Sequence, residues 1–398
     1  MISFTGEVRV FRSYVGRGVE SSLIDSSIGR PMNAQLTDPD RLRLRRALEL
    51  AEGGRGRVSP NPLVGAVVVR DGEVIGEGFH AELGGPHAER AALADCRSRG
   101  EDSAGATMYV TLEPCAHQGR QPPCVDAILE AGIGRVVIAS DDPSEKASGR
   151  GPGILRDGGV EVSYLAGAEA SAARLLNQSF RKHARTGLPL VILKLAMSLD
   201  GQTRTAPGDS PWISGELSRA MVHTWRSEAD AIAVGIGTAL ADDPLLTARY
   251  DDAPQPLRVV FDSRARLPLG SRLLATLDQS PVLVVTAPEA DPRRVGDLRD
   301  AGVEILVAGG ATPAERVRSA LAELGRREVT SIFLEGGRTL ATAFIAADQI
   351  DESRIFVAPV LLGGEPTGAP AAARRSALQS DSKQVGDDTL ITARFKEW

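Results

Sequence analysis

The chain has 398 residues, 42% hydrophobic and 25% charged, with a formal net charge of −6. That length exceeds what one core usually fills, so two domains are expected in a soluble globular protein. The acidic balance argues against nucleic-acid binding by charge alone, and no apolar run approaches the ~18 residues of a membrane span, so neither nucleic acid nor a membrane is expected as a partner.

Residues 1–31 mix scattered apolar residues with Ser, Gly and Arg and show no periodicity. They have no apolar signal-peptide core and read as a disordered tail, or as residues upstream of a true start at Met32. Asp38-Pro39 opens a helix through Ala51, stopped by Gly53-Gly54. After Pro60-Asn61-Pro62 comes the apolar run Leu63 to Val69, and Asp71-Gly72 turns it back into Val74 to Phe79 as a hairpin. A helix from His87 to about Arg99, a strand Thr107 to Leu112, a helix Pro123 to Ala131 and strands Arg135 to Ala139 and Val160 to Leu165 complete a compact α/β unit.

A helical stretch from Glu169 to His183 leads to Arg185-Thr186-Gly187, a plausible linker. Strands are then expected at Leu190–Leu195, Ala231–Gly235, Leu257–Asp262, Val282–Thr286, Val303–Val307, Ser331–Leu334 and Arg354–Ala358. Helices fit Gly215–Ser227, Pro292–Ala301, Pro313–Leu324 and Thr339–Ala347, and this alternation predicts an α/β sheet with much parallel pairing. The expected organisation is a tail over 1–31, a first domain over 32–166, a connecting helix and linker over 167–187 and a second domain over 188–398.

The three cysteines, Cys96, Cys115 and Cys124, are too few and too odd in number for a disulfide framework. They point to metal binding, catalysis or burial in a reducing compartment, and a cytoplasmic location is expected. His87-Ala88-Glu89 followed by Pro114-Cys115 and Cys124 is the strongest signal in the chain. A catalytic zinc takes three protein ligands and leaves one position for water, whose pKa it lowers toward neutrality. His87, Cys115 and Cys124 fit those ligands, and Glu89 fits the carboxylate that shuttles protons beside the metal, the pattern of zinc deaminases. A fourth ligand, His80 or His117, would make the site structural instead. Cys96 reads as core.

In the second half, Gly235-Ile236-Gly237-Thr238 has the opening of a G-x-G-x-x-G fingerprint, but position 240 is Leu. Glu335-Gly336-Gly337-Arg338-Thr339 lies between a buried strand and a helix, where backbone N–H groups can approach a phosphate; a plain strand-to-helix turn is the other reading.

The chain resembles the bifunctional deaminase–reductase family of riboflavin biosynthesis. The motifs that carry this are Pro60-Asn61-Pro62-Leu63-Val64-Gly65, Gly78-Phe79-His80, His87-Ala88-Glu89 and Thr111 to Arg120 with Pro122-Pro123-Cys124. In the second half they are Lys194 to Gly201, Trp212-Ile213, Ala241-Asp242-Asp243-Pro244, Leu334-Glu335-Gly336-Gly337 and Leu362-Gly363-Gly364. Eight residues separate the two cysteines, as in that family, rather than the two usual in zinc deaminases. Gln121 and Ser144 depart from the family's common Thr and Asn.

The resemblance implies an α/β protein in which an N-terminal cytidine-deaminase-like α/β/α domain precedes a C-terminal dihydrofolate-reductase-like α/β domain. It implies one Zn2+ per chain, NADPH, and a small phosphorylated pyrimidine substrate, 2,5-diamino-6-ribosylamino-4(3H)-pyrimidinone 5′-phosphate, whose ring amino group leaves as ammonia before the ribosyl chain is reduced to ribityl. It assigns Asn61, His80 and Arg120 to the deaminase substrate, with Arg120 as a bidentate phosphate donor. It assigns Ser210, Arg226, Leu246, Arg249 and Glu335 to the reductase substrate, with Lys194 near the ribose. It assigns Ala196, Trp212, Thr238, Asp242, Ser263, Gly337, Arg338, Thr339, Leu340, Ala341, Thr342 and Ala343 to NADPH. A homo-oligomer is compatible with the sequence. The competing readings are a tRNA-type zinc deaminase with an accessory domain and a zinc-stabilised binding module. The acidic charge and the second half weigh against the first, and Glu89 beside only three obvious ligands weighs against the second.

Overall fold

The computed structural model describes residues 37–119, 121–145, 148–206, 210, 212–250, 252–363 and 375–398. The expected N-terminal tail, the alternative start at Met32, Arg120 and Gly364 lie outside the described residues.

The first half alternates helices and short strands: α1 (Asp38–Ala51), β1 (Gly65–Arg70), β2 (Glu73–Phe79), α2 (Ala88–Ser98), β3 (Thr107–Val110), α3 (Cys124–Glu130), β4 (Arg135–Ile138), α4 (Arg150–Asp157) and β5 (Glu161–Tyr164). Thr37 starts α1 with a capping box: its hydroxyl accepts from Asp40 N while its own N–H donates to the Asp40 carboxylate at 2.9 Å. Asp71 (φ 52°) and Gly72 (φ 84°) make the tight hairpin turn that the Asp-Gly pair predicts.

The five strands order as β2-β1-β3-β4-β5, antiparallel around β1 and parallel from β3 to β5. Successive side chains on β1 point to opposite faces. Val67 and Val69 pack with Leu44 and Ala47 of α1, and Ala66 and Val68 pack with Ala92 and Leu93 of α2. Both faces are covered, so the strands read as continuous apolar runs.

Two connecting helices follow, α5 (Ala168–Leu176) and α6 (Gln178–Thr186). The single helix expected over 169–183 breaks at Asn177. The buried Asn177 side chain accepts from Leu63 N at 2.8 Å and donates to Leu63 O at 2.9 Å, which fixes the Pro60–Leu63 loop. One turn on, Arg181 is 2% exposed and bridges the halves: it donates to Trp398 O at the C-terminus (2.6 Å) and to Asp141 O beyond β4 (2.8 Å). The linker-like polarity of this stretch therefore conceals buried, fully used side chains.

The second half contains β6 (Leu190–Ser198), α7 (Glu216–Glu228), β7 (Ala231–Gly235), α8 (Ile236–Asp242), β8 (Leu257–Phe261), α9 (Arg272–Ala275), β9 (Val282–Thr286) and α10 (Pro292–Asp300). Then come β10 (Glu304–Val307), α11 (Pro313–Arg326), β11 (Ser331–Leu334), α12 (Arg338–Ala346), β12 (Glu352–Ala358), β13 (Gln379–Val385) and β14 (Asp388–Arg394). Their sheet orders as β10-β9-β8-β7-β11-β6-β12-β14-β13. All pairs from β10 to β12 are parallel, and the last two strands form an antiparallel edge. Helices α11 and α12 cover one face, where Val317, Leu321 and Phe344 meet Val191 and Ala233. Helices α7 to α10 cover the other, where Val222, Leu273 and Leu298 share a core with Ile232 and Val260.

β11 inserts between β7 and β6, and the chain then crosses β6 to reach β12. The strand order reverses there, and in open α/β sheets ligands bind at the carboxyl ends of the strands beside such a reversal. The Glu335–Gly337 turn emerges at that point.

Asp351, at 1% exposure, receives Lys182 Nζ at 2.6 Å and Val191 N at 2.8 Å, so it ties α6 to the start of β6. Breaking a buried pair from one side typically costs about 3–5 kcal/mol. Asp351→Asn should accordingly lower the unfolding free energy by that order, seen as a lower urea midpoint at an unchanged denaturant slope; a midpoint equal to that of the native chain would refute the buried-pair account.

Candidate functional sites

His87 is the N-cap of α2, and Cys124 is the first residue of α3. Cys115 lies in the loop after β3. The fold therefore aims two helix N-termini, with their partial positive charge, at one point, which favours thiolates. His87 Nδ1 is 3.5 Å from Cys115 Sγ and 3.4 Å from Cys124 Sγ, and the three donor atoms lie within 4.8 Å of one another. The Cys124 N–H donates to Cys115 Sγ at 3.3 Å.

A close approach holds the Cys115 loop in place. A Cβ on Gly151 of α4 would lie 1.9 Å from Pro114 O, so only glycine lets that helix pack against the loop.

One imidazole nitrogen and two sulfurs fit a tetrahedral zinc with one open position. A hydrogen bond from the Cys124 thiol, reinforced by His87, pulls Cys115 down to about 4, so a thiolate is available to a cation. That bond, together with burial, pushes Cys124 upward. Neither His80 nor His117 joins the triad among the described residues. Both His80 ring nitrogens are occupied: Nδ1 donates to Pro86 O at 3.0 Å, and Nε2 faces Asn61 Nδ2 at 3.1 Å. Burial pushes His80 downward and keeps it neutral, able to accept from the Asn61 amide. Its ring sits edge-on to His87, centroids 5.3 Å apart.

Glu89 lies in the first turn of α2 and is 3% exposed. Burial, with added repulsion from Cys115, pushes it up to about 7. A cavity of about 140 Å³ opens beside the triad and is lined by Pro60, Asn61, His87, His117, Gln121 and Glu328, among others. Gln121 braces this wall by donating to Gly84 O at 2.7 Å. Ser144 is held by its N–H bond to Asp142 Oδ1 at 2.8 Å.

At the carboxyl edge of the second sheet, the Arg226 fork grips Glu335 through Nε at 2.7 Å and Nη2 at 3.0 Å. Burial raises Glu335, but Arg226 outweighs it and holds the carboxyl below its usual range. Lys194 faces the same carboxylate; burial lowers its pKa and Glu335 opposes that. Burial also lowers Arg249, with Arg226 adding to the effect and Glu335 opposing it. Three cations thus share one carboxylate, an excess of positive charge suited to an anionic group.

Leu246 adopts φ 57° with its side chain 2% exposed, so it can offer a site backbone only; the next carbonyl, Thr247 O, receives Arg226 Nη1 at 3.2 Å. Thr238 of α8 accepts from Gly337 N, the N-cap of α12, at 3.3 Å, which ties together the starts of two neighbouring helices. Arg338 and Thr339 are exposed and Thr342 is half-buried. Leu340, Ala341 and Ala343 face the core, so they shape the turn from behind. Asp242 ends α8 in an exposed position, and Ser263 follows β8, its carbonyl accepting from Ala287 N at 3.2 Å. Ala196 is half-buried on β6. Ser210 and Trp212 pair with each other (3.2 Å), and Arg219 lies over the Trp212 ring at 5.0 Å.

Residues 38–140 match the cytidine and deoxycytidylate deaminase zinc-binding region, and residues 189–391 match the RibD C-terminal domain. The riboflavin biosynthesis protein RibD of Actinobacillus pleuropneumoniae is 40% identical over 85% of this chain and 89% of its own. RibD of Escherichia coli is 40% identical over 83% and 90%. The chain belongs to the RibD family. Solved relatives agree. The diaminohydroxyphosphoribosylaminopyrimidine deaminase/5-amino-6-(5-phosphoribosylamino)uracil reductase of Thermotoga maritima superposes with a TM-score of 0.78 at 36% identity, covering 90% of this chain and 99% of its own. Acinetobacter baumannii RibD also reaches 0.78, at 37% identity over 90% and 99%.

The protein is thus a bifunctional deaminase and reductase of riboflavin biosynthesis, with a zinc deaminase domain and an NADPH-dependent reductase domain. The order of domains is the expected one: an N-terminal cytidine-deaminase-like domain followed by an α/β reductase domain.

Sequence reasoning missed Glu328, which lies more than 200 positions from the zinc motif. It carries no local signal beyond a polar residue after a helix.

Removing one of three ligands leaves too few to hold zinc tightly. Cys115→Ser should lose most of its bound zinc, measured by metal analysis after dialysis, while keeping its NADPH affinity. Full retention of zinc by this variant would refute the triad as the metal site.

Proposed function

We propose that the first site deaminates the ribosylamino-diaminopyrimidinone 5′-phosphate for which the Thermotoga relative is named, and that the second reduces the ribosyl chain of the product. The observation that carries this reading is the open three-donor set of His87, Cys115 and Cys124 beside a deeply buried Glu89. Zinc, held by those three residues, supplies Lewis acidity that brings a water's pKa near neutrality. Glu89 takes the proton that the water loses as its oxygen joins the amino-bearing ring carbon. It then returns a proton to the departing amine, which leaves as ammonia. Burial, which favours the protonated carboxyl, suits Glu89 to hold a proton between the two transfers. The Asn61 amide, held by the neutral His80 ring, orients the pyrimidine edge, and Arg120 meets the phosphate.

NADPH supplies the hydride in the second reaction. Gly337 and Thr238, with Arg338, Thr339 and Thr342, receive its phosphates at the start of α12, and Ala196, Trp212, Asp242 and Ser263 border the cofactor. Leu340, Ala341 and Ala343 set the shape of the turn. Arg226 and Arg249 receive the substrate phosphate. Lys194 and Glu335 face the ribose, together with Ser210 and the Leu246 backbone. We assign the domains to residues 32–166 and 188–398, joined by 167–187, and place the enzyme in the cytoplasm. Among the described residues no helix is long and apolar enough to cross a membrane.

Glu89→Gln leaves all three ligands in place, so zinc content should stay at one per chain. Deamination should fall by about 10²–10⁴, the usual contribution of a general acid–base group. Ammonia release at near-native rates would sink the assignment.

The two chemistries should also separate by point substitution. A Cβ at Gly337 would meet only Thr238 Oγ1, at 3.4 Å, and φ there is −65°, so Asp fits the position and even suits an N-cap. Gly337→Asp should therefore preserve the fold and deamination. It should slow NADPH oxidation at least tenfold through charge repulsion, which is on the order of a few kcal/mol near a protein surface. Unchanged NADPH affinity in this variant would rule out the turn as the phosphate site.

A further inference from the structure

The wall of the deaminase cavity is completed from the reductase half by Glu328. This residue follows α11, where Glu328 N donates to Gly325 O at 3.0 Å and Val329 N to Leu324 O at 3.1 Å. Those two bonds are a Schellman cap, and Glu328, with φ 63°, holds the position in it that favours glycine. Glutamate there strains the backbone for no gain in the cap. Glu328 is exposed at the edge of this cavity, and a strained residue bordering a catalytic cavity points to a functional role.

The segment is also pinned in place. His183 Nε2 donates to Gly325 O at 2.8 Å from α6, and Asp230 accepts from Thr330 N at 2.7 Å. Thr330 Oγ1 meets Ser59 Oγ at 3.2 Å, next to Pro60 on the same cavity wall.

The other polar groups used on this wall, Asn61, His117 and Gln121, are amides and imidazole. An ionised carboxylate only accepts hydrogen bonds, and it repels a phosphate. We infer that Glu328 is a specificity residue of the deaminase site contributed by the reductase half, accepting hydrogen bonds from the neutral O–H and N–H donors of the substrate. This rests on the deaminase substrate proposed above. It also means that the first active site is incomplete without the second domain.

The test uses the full-length, zinc-loaded enzyme. Ammonia release is measured against pyrimidine concentration, NADPH oxidation is measured with the deaminated intermediate, and a thermal melt is recorded, for Glu328→Gly and Glu328→Gln. In Glu328→Gly the deaminase KM should rise about tenfold, the scale of one lost charged hydrogen bond, with kcat within about threefold. Reduction should be unchanged and the Tm equal or higher, because glycine relieves the strained φ. Glu328→Gln keeps the length and the strain but loses the charge, and should raise KM several-fold. A purely structural role predicts the reverse for glycine, a change in Tm with KM intact. A KM within twofold of the native value in both variants, or a fall in kcat at unchanged KM, overturns the proposal. A native enzyme that releases no ammonia from this pyrimidine refutes the substrate assignment instead, and does so before any variant is compared.

Discussion

The paired hydrogen bonds between the Asn177 side chain and both backbone groups of Leu63 hold the rest of the arrangement together. An amide carries a donor and an acceptor on one planar group, so it can satisfy a buried N–H and a buried C=O side by side. Asn177 stands at the junction of α5 and α6, and these bonds set the Pro60–Leu63 loop that carries Asn61 to His80. The same break directs α6 so that Arg181 and Lys182 turn inward. Arg181 then spans from Asp141 to the C-terminal Trp398, and Lys182 reaches Asp351 at the start of the second sheet. Each of these groups would cost several kcal/mol if buried without partners, so the network stands or falls as a unit.

Two buried glutamates show how neighbours, rather than burial itself, decide protonation. Glu89 and Glu335 are both largely hidden from water, and desolvation raises both. Beside Glu89 stands the Cys115 sulfur, which repels a second negative charge, and the carboxyl settles at about 7. Beside Glu335 stands the Arg226 fork, and the carboxyl falls below its ordinary range. One is prepared to exchange protons near neutral pH, and the other is a fixed negative charge among cations. A divalent cation at the triad acts on Glu89 in the lowering sense, as any nearby positive charge does. The proton-carrying role therefore rests on geometry and burial as much as on the shift.

The zinc site was legible in the sequence because one histidine and two cysteines, with a glutamate two residues from the histidine, are the donor set and proton carrier that a catalytic zinc requires. The hairpin was legible because Asp-Gly suits a turn with positive φ. The parallel core strands were legible as apolar runs: Ala231–Gly235, Val282–Thr286 and Ser331–Leu334 match residue for residue. Helix α4 was not, because its sequence Arg-Gly-Pro-Gly reads as a turn, and only the contact of Gly151 with Pro114 shows why those residues suit it. Strands β13 and β14 were also missed. β13 is an exposed polar edge with no buried face to impose alternation. Arg181 and Lys182 looked like solvated charge, since burial of a long cation depends on partners far away in the chain.

Backbone strain follows the proposed sites closely. Seven non-glycine residues have positive φ, among the described residues, and four of these are aspartates at turns or helix ends, where a short polar side chain tolerates that region. The other three, Leu246, Ala265 and Glu328, have no such side chain, and each conformation costs about 1–2 kcal/mol. Leu246 delivers the Thr247 carbonyl to Arg226. Ala265 sits in the loop that begins at Ser263, which the buried Asp262 carboxylate gathers by accepting from Leu267 N at 2.8 Å. Glu328 faces the deaminase cavity. Glycine would relieve all three without altering the chain's path. A sequence that instead keeps a residue with a Cβ at each gives up stability for a particular carbonyl, loop or carboxylate, and the cost is small enough for the surrounding network of buried bonds to offset.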